Sequence, residues 1–312
     1  MMGGPTTLEV VEGVDLTGKT CVITGASAGL GRESARALAA TGAHVILAAR
    51  NVEALRDAEA WIRAEVPDAP TSTVELDLTS LASVRTAAAA IQDLAPEIHL
   101  LMNNAGVMFT PFGRTTDGFE IQFGTNHLGH FELTRLLTPR LVEGARIVIL
   151  SSDGHRMCDV DLADPNWERR EYDKFAAYGS SKTANVLHMV ELDRRLRDRG
   201  VRACAVHPGV VATSLARHMT REDFASLNNI TPAEPDAQRV DVLRDFQMPE
   251  QGAATQVWAA VSPDLAGIGG VYLADCRIRE DVAPYAADHA HAADLWELSE
   301  KLCGNVALGS QS

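Results

Sequence analysis

Short apolar and β-branched runs alternate with longer amphipathic stretches over residues 20–206, and this alternation limits the fold more than any other property of the chain. Residues 20–24, 44–49, 73–76, 98–102, 146–150 and 201–206 read as strands, and near-continuous apolar runs of that length suit burial on both faces. Between them, residues 29–41, 52–65, about 80–93, about 117–141 and 174–199 read as helices. Strand and helix in strict turn require parallel strands joined by right-handed crossovers. The expected fold class is therefore α/β, a doubly wound parallel β-sheet of about seven strands flanked by helices.

The alternation breaks over about 214–250, a polar segment carrying Asn228-Asn229 and Thr231-Pro232. A long irregular insertion in a compact unit is usually functional or disordered. This one follows the carboxyl end of the sixth strand, where ligands bind in open α/β sheets, so it is expected to be a substrate lid. A helix near 252–261, a strand at 270–273 and a terminal helix near 287–302 complete the pattern. No linker or repeat divides the chain. The expectation is one domain over 1–312, with a cofactor-binding half at about 15–150 and a catalytic and substrate-binding half at about 151–305.

Composition removes several function classes. With 28 basic and 42 acidic residues the formal charge is −14, which disfavours nucleic acid and anionic membrane surfaces as partners. One anionic cofactor can still bind where local dipoles dominate. The five cysteines are scattered, with no C-x-x-C pair, which suits a reducing compartment. No apolar run approaches the roughly 18 residues that span a bilayer. Residues 1–13 lack a secretory signal, so a cytoplasmic protein without a membrane anchor is expected. His289-Ala290-His291 is too sparse for a metal site, and none is expected.

Between the first strand and first helix lies Thr24-Gly25-Ala26-Ser27-Ala28-Gly29-Leu30-Gly31. Glycine permits a tight turn and a close backbone approach to a pyrophosphate, and the helix start offers unpaired N–H groups. Gly25, Ser27, Gly29, Leu30 and Gly31 are the candidate cradle of a dinucleotide, in a Rossmann-type setting. The spacing G-x-x-x-G-x-G differs from the common G-x-G-x-x-G, and a ligand-free βα turn is the alternative. The second strand ends in Ala48-Ala49-Arg50-Asn51, without the carboxylate that would hold a ribose 2′-hydroxyl. Arg50 therefore favours NADP(H), with NAD(H) possible, unless it is simply a solvated side chain at the next helix start. Asp77, with Leu78 beside it, is placed either to accept from an adenine amino group or to start the helix near Ser80.

Tyr178 and Lys182 stand four residues apart on the 174–199 helix, hence on one face. A cation beside a phenol favours phenolate and draws its pKa toward the working range. The residues four beyond Tyr172, Tyr272 and Tyr285 are Ala176, Cys276 and His289, so Tyr178 alone has this arrangement. By itself the pair reads equally as an ordinary amphipathic helix.

In combination these features resemble the short-chain dehydrogenase/reductase family across nearly the whole chain. The matching pieces are Gly25, Gly29 and Gly31, then Asn103-Asn104-Ala105-Gly106, Asn126, Ser151-Ser152, Tyr178 with Lys182, and His207-Pro208-Gly209. Asn126-His127-Leu128-Gly129-His130-Phe131, Ser181-Lys182-Thr183-Ala184-Asn185 and Tyr272-Leu273-Ala274-Asp275-Cys276 are similar to its retinol-dehydrogenase-like branch. The resemblance implies an oxidoreductase that interconverts an alcohol and its ketone or aldehyde. It implies Tyr178 as general acid/base, Lys182 on the nicotinamide ribose and lowering the Tyr178 pKa, and Ser152 donating to the substrate oxygen. Asn126 is implied to organise a water-linked proton path. Asn104, Ala105 and Gly106 are implied to approach the adenosine or ribose, and Pro208, Gly209, Val211 and Thr213 to surround the nicotinamide. Thr213 otherwise caps the segment that follows.

The substrate, an apolar small molecule, is expected to enter beside Val107, Met108, His155 and the lid, although those positions also suit ordinary packing. The rival expectations are a catalytically silent NADP(H)-binding regulatory protein and a C=C reductase of the protochlorophyllide-reductase type. The long helices carrying Asn126 and Tyr178 offer surfaces for a homo-oligomer.

Overall fold

A computed structural model describes residues 4–211, 219–220, 223 and 247–304. The expected lid and Thr213 lie almost wholly outside the described residues. Eight strands form one sheet: β1 (Thr20–Thr24), β2 (His44–Ala49), β3 (Thr71–Glu75), β4 (Ile98–Asn103), β5 (Leu141–Leu150), β6 (Arg202–Val206), β7 (Val271–Ala274) and β8 (Arg277–Arg279). Their order is β3-β2-β1-β4-β5-β6-β7-β8, parallel from β3 to β7 and antiparallel at β8. The seven expected strands are all present, and the short edge strand β8 adds an eighth. It follows a turn in which Asp275 and Cys276 both take positive φ, which apolar patterning does not reveal.

Alternate strand residues feed two cores. Val22, Ile46, Leu101, Ile147 and Ile149 pack against α4 (Leu81–Leu94), α7 (Lys174–Leu196) and α10 (His289–Leu302) on one face. Ile23, Val45, Leu47, Met102 and Val148 pack against α2 (Gly29–Ala40), α3 (Val52–Glu65) and α9 (Ala254–Val261), which follows the short α8 (Pro249–Gly252), on the other. The strand order reverses direction between β1 and β4, and the crevice beyond their carboxyl ends is the usual ligand position in such sheets. A short first helix, α1 (Thr7–Val10), carries a Thr6–Glu9 capping box, a signal readable as T-x-x-E.

The stretch expected as one helix over 117–141 is three pieces. Glu120 starts it by accepting from the Gln122 and Phe123 N–H groups, and Asp117 instead caps α4 through Leu81 N–H at 2.8 Å. After α5 (Ile121–Phe123), Gly124–Leu128 is a π-helix whose widened turn lets Gly129 N–H reach Gly124 C=O. Then α6 (Gly129–Leu137) runs to a 3₁₀ turn containing Pro139, and β5 begins at Leu141. A Cβ at Gly129 would stand 2.6 Å from the Leu78 carbonyl oxygen, so only glycine allows this helix to cross the β3–α4 connection so closely.

Helix α10 lies across α7 and α6: the Trp296 ring meets Phe131 at 4.9 Å and His188 at 5.9 Å. Much of the helix surface that the sequence offers for subunit pairing is thus covered within the chain. His188 is buried with neither ring nitrogen hydrogen-bonded among the described residues, and burial depresses its pKa to about 3. An unfolded histidine titrates near 6.5, so between that pH and about 3 the unfolded state binds the extra proton and stability falls with pH. At pH 5 this one ring costs about 2 kcal/mol relative to pH 7.5. His188→Leu should therefore lose less stability than the parent between pH 7.5 and 5 in urea titrations. Equal losses in both proteins would remove this account.

Candidate active site

The glycine turn is built by close approach. Gly25 and Gly29 have φ of +67° and +55°, and a Cβ on Gly31 would stand 2.5 Å from Asn104 Nδ2 and collide with the Gly25 carbonyl. Asn104 spends its side chain on this turn, donating to Thr24 C=O at 2.8 Å and accepting from Gln256 Nε2 at 3.2 Å. Thr24 Oγ1 in turn accepts from the N–H groups of Asn104 (2.9 Å) and Ala105 (3.0 Å). Helices α3, α4, α7 and α10 each receive a side-chain cap from Asn51, Ser80, Asp173 and Asp288. Helix α2 has Ala28 there and no side-chain cap, so its first N–H groups are left for an anion. That opening fits a dinucleotide pyrophosphate. Ser27 and Leu30 are half-buried beside it.

Arg50 is exposed at the end of β2 and forms no ion pair or side-chain hydrogen bond among the described residues. Asp77 Oδ1 accepts from the Thr79 N–H at 2.9 Å and hydroxyl at 2.7 Å. The cap of α4 is Ser80, which decides one of the two readings of Asp77. Leu78 is buried, its carbonyl oxygen packed against Gly129. Near the sixth strand, Gly209 follows Pro208 with φ of +80°, and Val211 pairs with Gln247.

On α7, Tyr178 and Lys182 are both buried and share one pocket, the Lys182 Nζ lying 5.7 Å from the Tyr178 ring centroid. Lys182 Nζ donates to Leu150 C=O at 3.1 Å, anchoring it to the end of β5. Ser152, the next-but-one residue, accepts from Gly154 N–H at 3.0 Å. That bond leaves the Ser152 hydroxyl proton free to be donated. A Cβ on Gly154 would lie 2.8 Å from Tyr178 Cε1, so glycine here lets the phenol approach Ser152. Ser151 is the buried one of the serine pair, its hydroxyl bound to Lys182 C=O at 2.9 Å, which favours Ser152 as the residue facing the site.

The electrostatics of the pocket differ from the expected lowering of the phenol. Burial pushes the Tyr178 pKa up to about 12, opposed by a hydrogen bond with Ser152, and burial brings Lys182 down to about 8. Desolvation dominates both groups, because burial penalises the phenolate and the ammonium alike.

Asn126 sits in the π-helix and clamps Val107, accepting its N–H at 2.8 Å and donating to its C=O at 2.9 Å. It also donates to Ser181 Oγ at 2.9 Å. Gly106 lies beside this clamp: a Cβ there would be 3.1 Å from Asn126 Oδ1 and 3.6 Å from Lys182 Nζ. Phe109 packs edge-on against Tyr178 at 4.9 Å and against Phe175 at 4.6 Å. Its φ of +51° is strained for an aromatic residue and is held by its N–H bond to Gln122 Oε1 at 2.9 Å. Met108 is half-buried next to it. His155 is fully buried: Nδ1 donates to Ser152 C=O at 2.7 Å and Nε2 accepts from Ala283 N–H at 3.2 Å. Both ring nitrogens are used within the chain, so His155 ties the Ser152 turn to the core and has no nitrogen left for the substrate contact expected of it. Gln122, Gly154 and Gln256 are site-building residues that sequence reasoning missed, since their partners are distant in the chain.

The short chain dehydrogenase family model matches residues 19–223, which spans the glycine turn, Asn126, Ser152, Tyr178 and Lys182. The chain belongs to the short-chain dehydrogenase family. It is 39% identical over 300 residues to retinol dehydrogenase 14 of Mus musculus, covering 92% of this chain and 86% of that protein. It is 38% identical to the chloroplastic short-chain dehydrogenase TIC 32 B of Brassica napus, covering 96% and 92%. A crystal structure of an uncharacterized protein from Mycobacterium paratuberculosis superposes with a TM-score of 0.73 at 36% identity, covering 96% of this chain and 97% of that one. These likenesses place the short-chain dehydrogenase in the retinol-dehydrogenase-like branch, as an oxidoreductase acting on CH–OH or C=O groups of small molecules with NAD(P). Among the described residues no helix is long and apolar enough to cross a membrane.

Proposed function

We propose that this short-chain dehydrogenase uses NADP(H) to interconvert an apolar alcohol and its ketone or aldehyde, with Tyr178 as general acid/base. The carrying observation is the buried cluster in which Tyr178, Lys182 and the Ser152 hydroxyl, hydrogen-bonded to the phenol, meet. The nicotinamide supplies or accepts the hydride when bound. A Tyr178 pKa near 12 keeps the phenol protonated at neutral pH, the form that gives a proton to a carbonyl oxygen. Ser152 donates to the same oxygen as charge develops on it. In the opposite direction Tyr178 must accept a proton, and positive charge from Lys182 and an oxidised cofactor favours that form.

Gly25, Ser27, Gly29, Leu30 and Gly31 would hold the pyrophosphate. Asp77, Leu78, Asn104, Ala105 and Gly106 would line the adenosine and ribose, and Pro208, Gly209 and Val211 the nicotinamide. The apolar Met108, Phe109 and Phe175 beside Tyr178 support an apolar substrate. One sheet running from β3 to β8 supports a single Rossmann-type unit, and five unpaired thiols support a reducing, cytoplasmic setting. A homo-oligomer, if formed, would use surfaces other than the helix faces beneath α10.

A screen of steroids, retinoids, aliphatic aldehydes and aromatic ketones, followed by nicotinamide absorbance and product analysis, tests the reaction. Cofactor turnover with carbonyl-to-alcohol conversion is expected; reduction of a C=C bond alone would overturn it. Arg50, exposed and without a side-chain partner among the described residues, supports the choice of phosphorylated cofactor. Arg50→Asp should raise KM for NADPH about tenfold or more, since one charge-assisted contact is lost and a repulsion gained, while changing KM for NADH little. Equal effects on the two cofactors would remove Arg50 from that role.

A further inference from the structure

A hydrogen-bond chain links the end of β1 to α7, and the direction of every bond in it is determined. His130 Nδ1 lies 3.0 Å from the Asn126 carbonyl, which can only accept, so Nδ1 carries the proton. Its Nε2 lies 2.8 Å from Thr24 Oγ1. That hydroxyl already accepts from two backbone N–H groups, and Nε2 is a much nearer acceptor for its proton than the Met102 carbonyl at 3.5 Å, so it donates to Nε2. Asn126 Nδ2 then donates to Ser181 Oγ, and Ser181 Oγ donates to Tyr178 C=O at 2.8 Å. The ring is buried and must be neutral here, because a second ring proton would point at an oxygen with no free lone pair. Burial agrees, depressing the His130 pKa to about 4.

The geometry points to His130 as a positioning residue: as the neutral Nδ1–H tautomer it orients the Asn126 carbonyl and so the Asn126–Ser181–Tyr178 link used in turnover. This rests on the role proposed above for Tyr178 and on the proton-path role that the family resemblance implies for Asn126. Both ring nitrogens of His130 are bonded inside the protein, so its effect passes through the Asn126 peptide, which sits in the π-turn.

Three variants separate its two bonds. In His130→Asn the carboxamide N–H falls near the Nδ1 position and retains the Asn126 bond. In His130→Gln the side chain reaches the Nε2 position and retains only the Thr24 bond, and His130→Leu retains neither. With NADPH and a carbonyl found in the screen, kcat should fall about tenfold in His130→Gln and His130→Leu, the loss of about one buried hydrogen bond, and recover most of that in His130→Asn. The NADPH dissociation constant, read from nucleotide fluorescence, should stay within about threefold in all three. Recovery by Gln rather than Asn, or parallel losses of kcat and NADPH affinity, would overturn the proposal. Histidine ¹⁵N NMR of the free protein, with the His130 signal assigned by its loss in His130→Asn, should show a neutral Nδ1–H ring. An Nε2–H or doubly protonated ring would overturn it without any reference to catalysis. If no carbonyl is turned over, the proposed function fails, and the tautomer still decides the placement of His130.

Discussion

Tyr178→Phe should abolish most turnover while leaving the cofactor site intact, with kcat falling about a thousandfold for every carbonyl or alcohol that the parent accepts. The phenyl ring fills the same volume, so the edge contact with Phe109 and the close pass by Gly154 survive. What is lost is the one oxygen that can pass a proton to the substrate. Melting temperature and NADPH affinity should therefore stay near those of the parent. Turnover of Tyr178→Phe within about tenfold of the parent would show that the proton comes from elsewhere, and Tyr178 would lose its assigned role.

Gly31→Ala should be almost as damaging, for a steric reason. The added carbon would meet the Gly25 carbonyl and stand 2.5 Å from Asn104 Nδ2, and neither neighbour is free to move. Asn104 is fastened to Thr24 C=O and Gln256, so relief must come from the glycine turn itself. Overpacking of this kind costs about 1–3 kcal/mol and displaces the first N–H groups of α2 from any phosphate. Both NADPH and NADH should bind about a hundredfold more weakly, and the melting temperature should drop by several degrees. Calorimetric titration against both cofactors separates this from Arg50→Asp, which discriminates between them. Unchanged affinity in Gly31→Ala would place the dinucleotide away from this turn.

Much of the architecture was legible because it follows from periodicity. The strands 44–49 and 98–102 lie within a residue of β2 and β4, since burial on both faces makes such runs uniformly apolar. The 80–93 helix is shifted by one residue from α4 because Ser80 is its cap and not its first turn. Where side chains from remote segments decide the backbone, periodicity misleads. Asp117 looked like a helix start, yet its carboxylate caps α4, and Glu120 begins the helix instead. The π-turn at Asn126 has no signature in composition, because it is held by a clamp on Val107 that only exists once β4 and α6 have packed. His155 shows the same limit: its position near Ser152 suggested the cleft, whereas the fold uses both its nitrogens internally.

Residue types at fixed spacing therefore determined the sheet, the glycine turn and the Tyr178–Lys182 pair, since these depend on local geometry and on the intrinsic chemistry of each side chain, whereas Ser152 was singled out from Ser151 only by the family resemblance. Tertiary structure alone decided their protonation, with the phenol driven up and the ammonium down, because desolvation depends on everything packed around a group and not on its neighbours in the chain. It also decided which histidine is wired to Asn126 and which glutamine braces Phe109, as hydrogen-bond direction is set by partners that meet only when the helices close over the sheet.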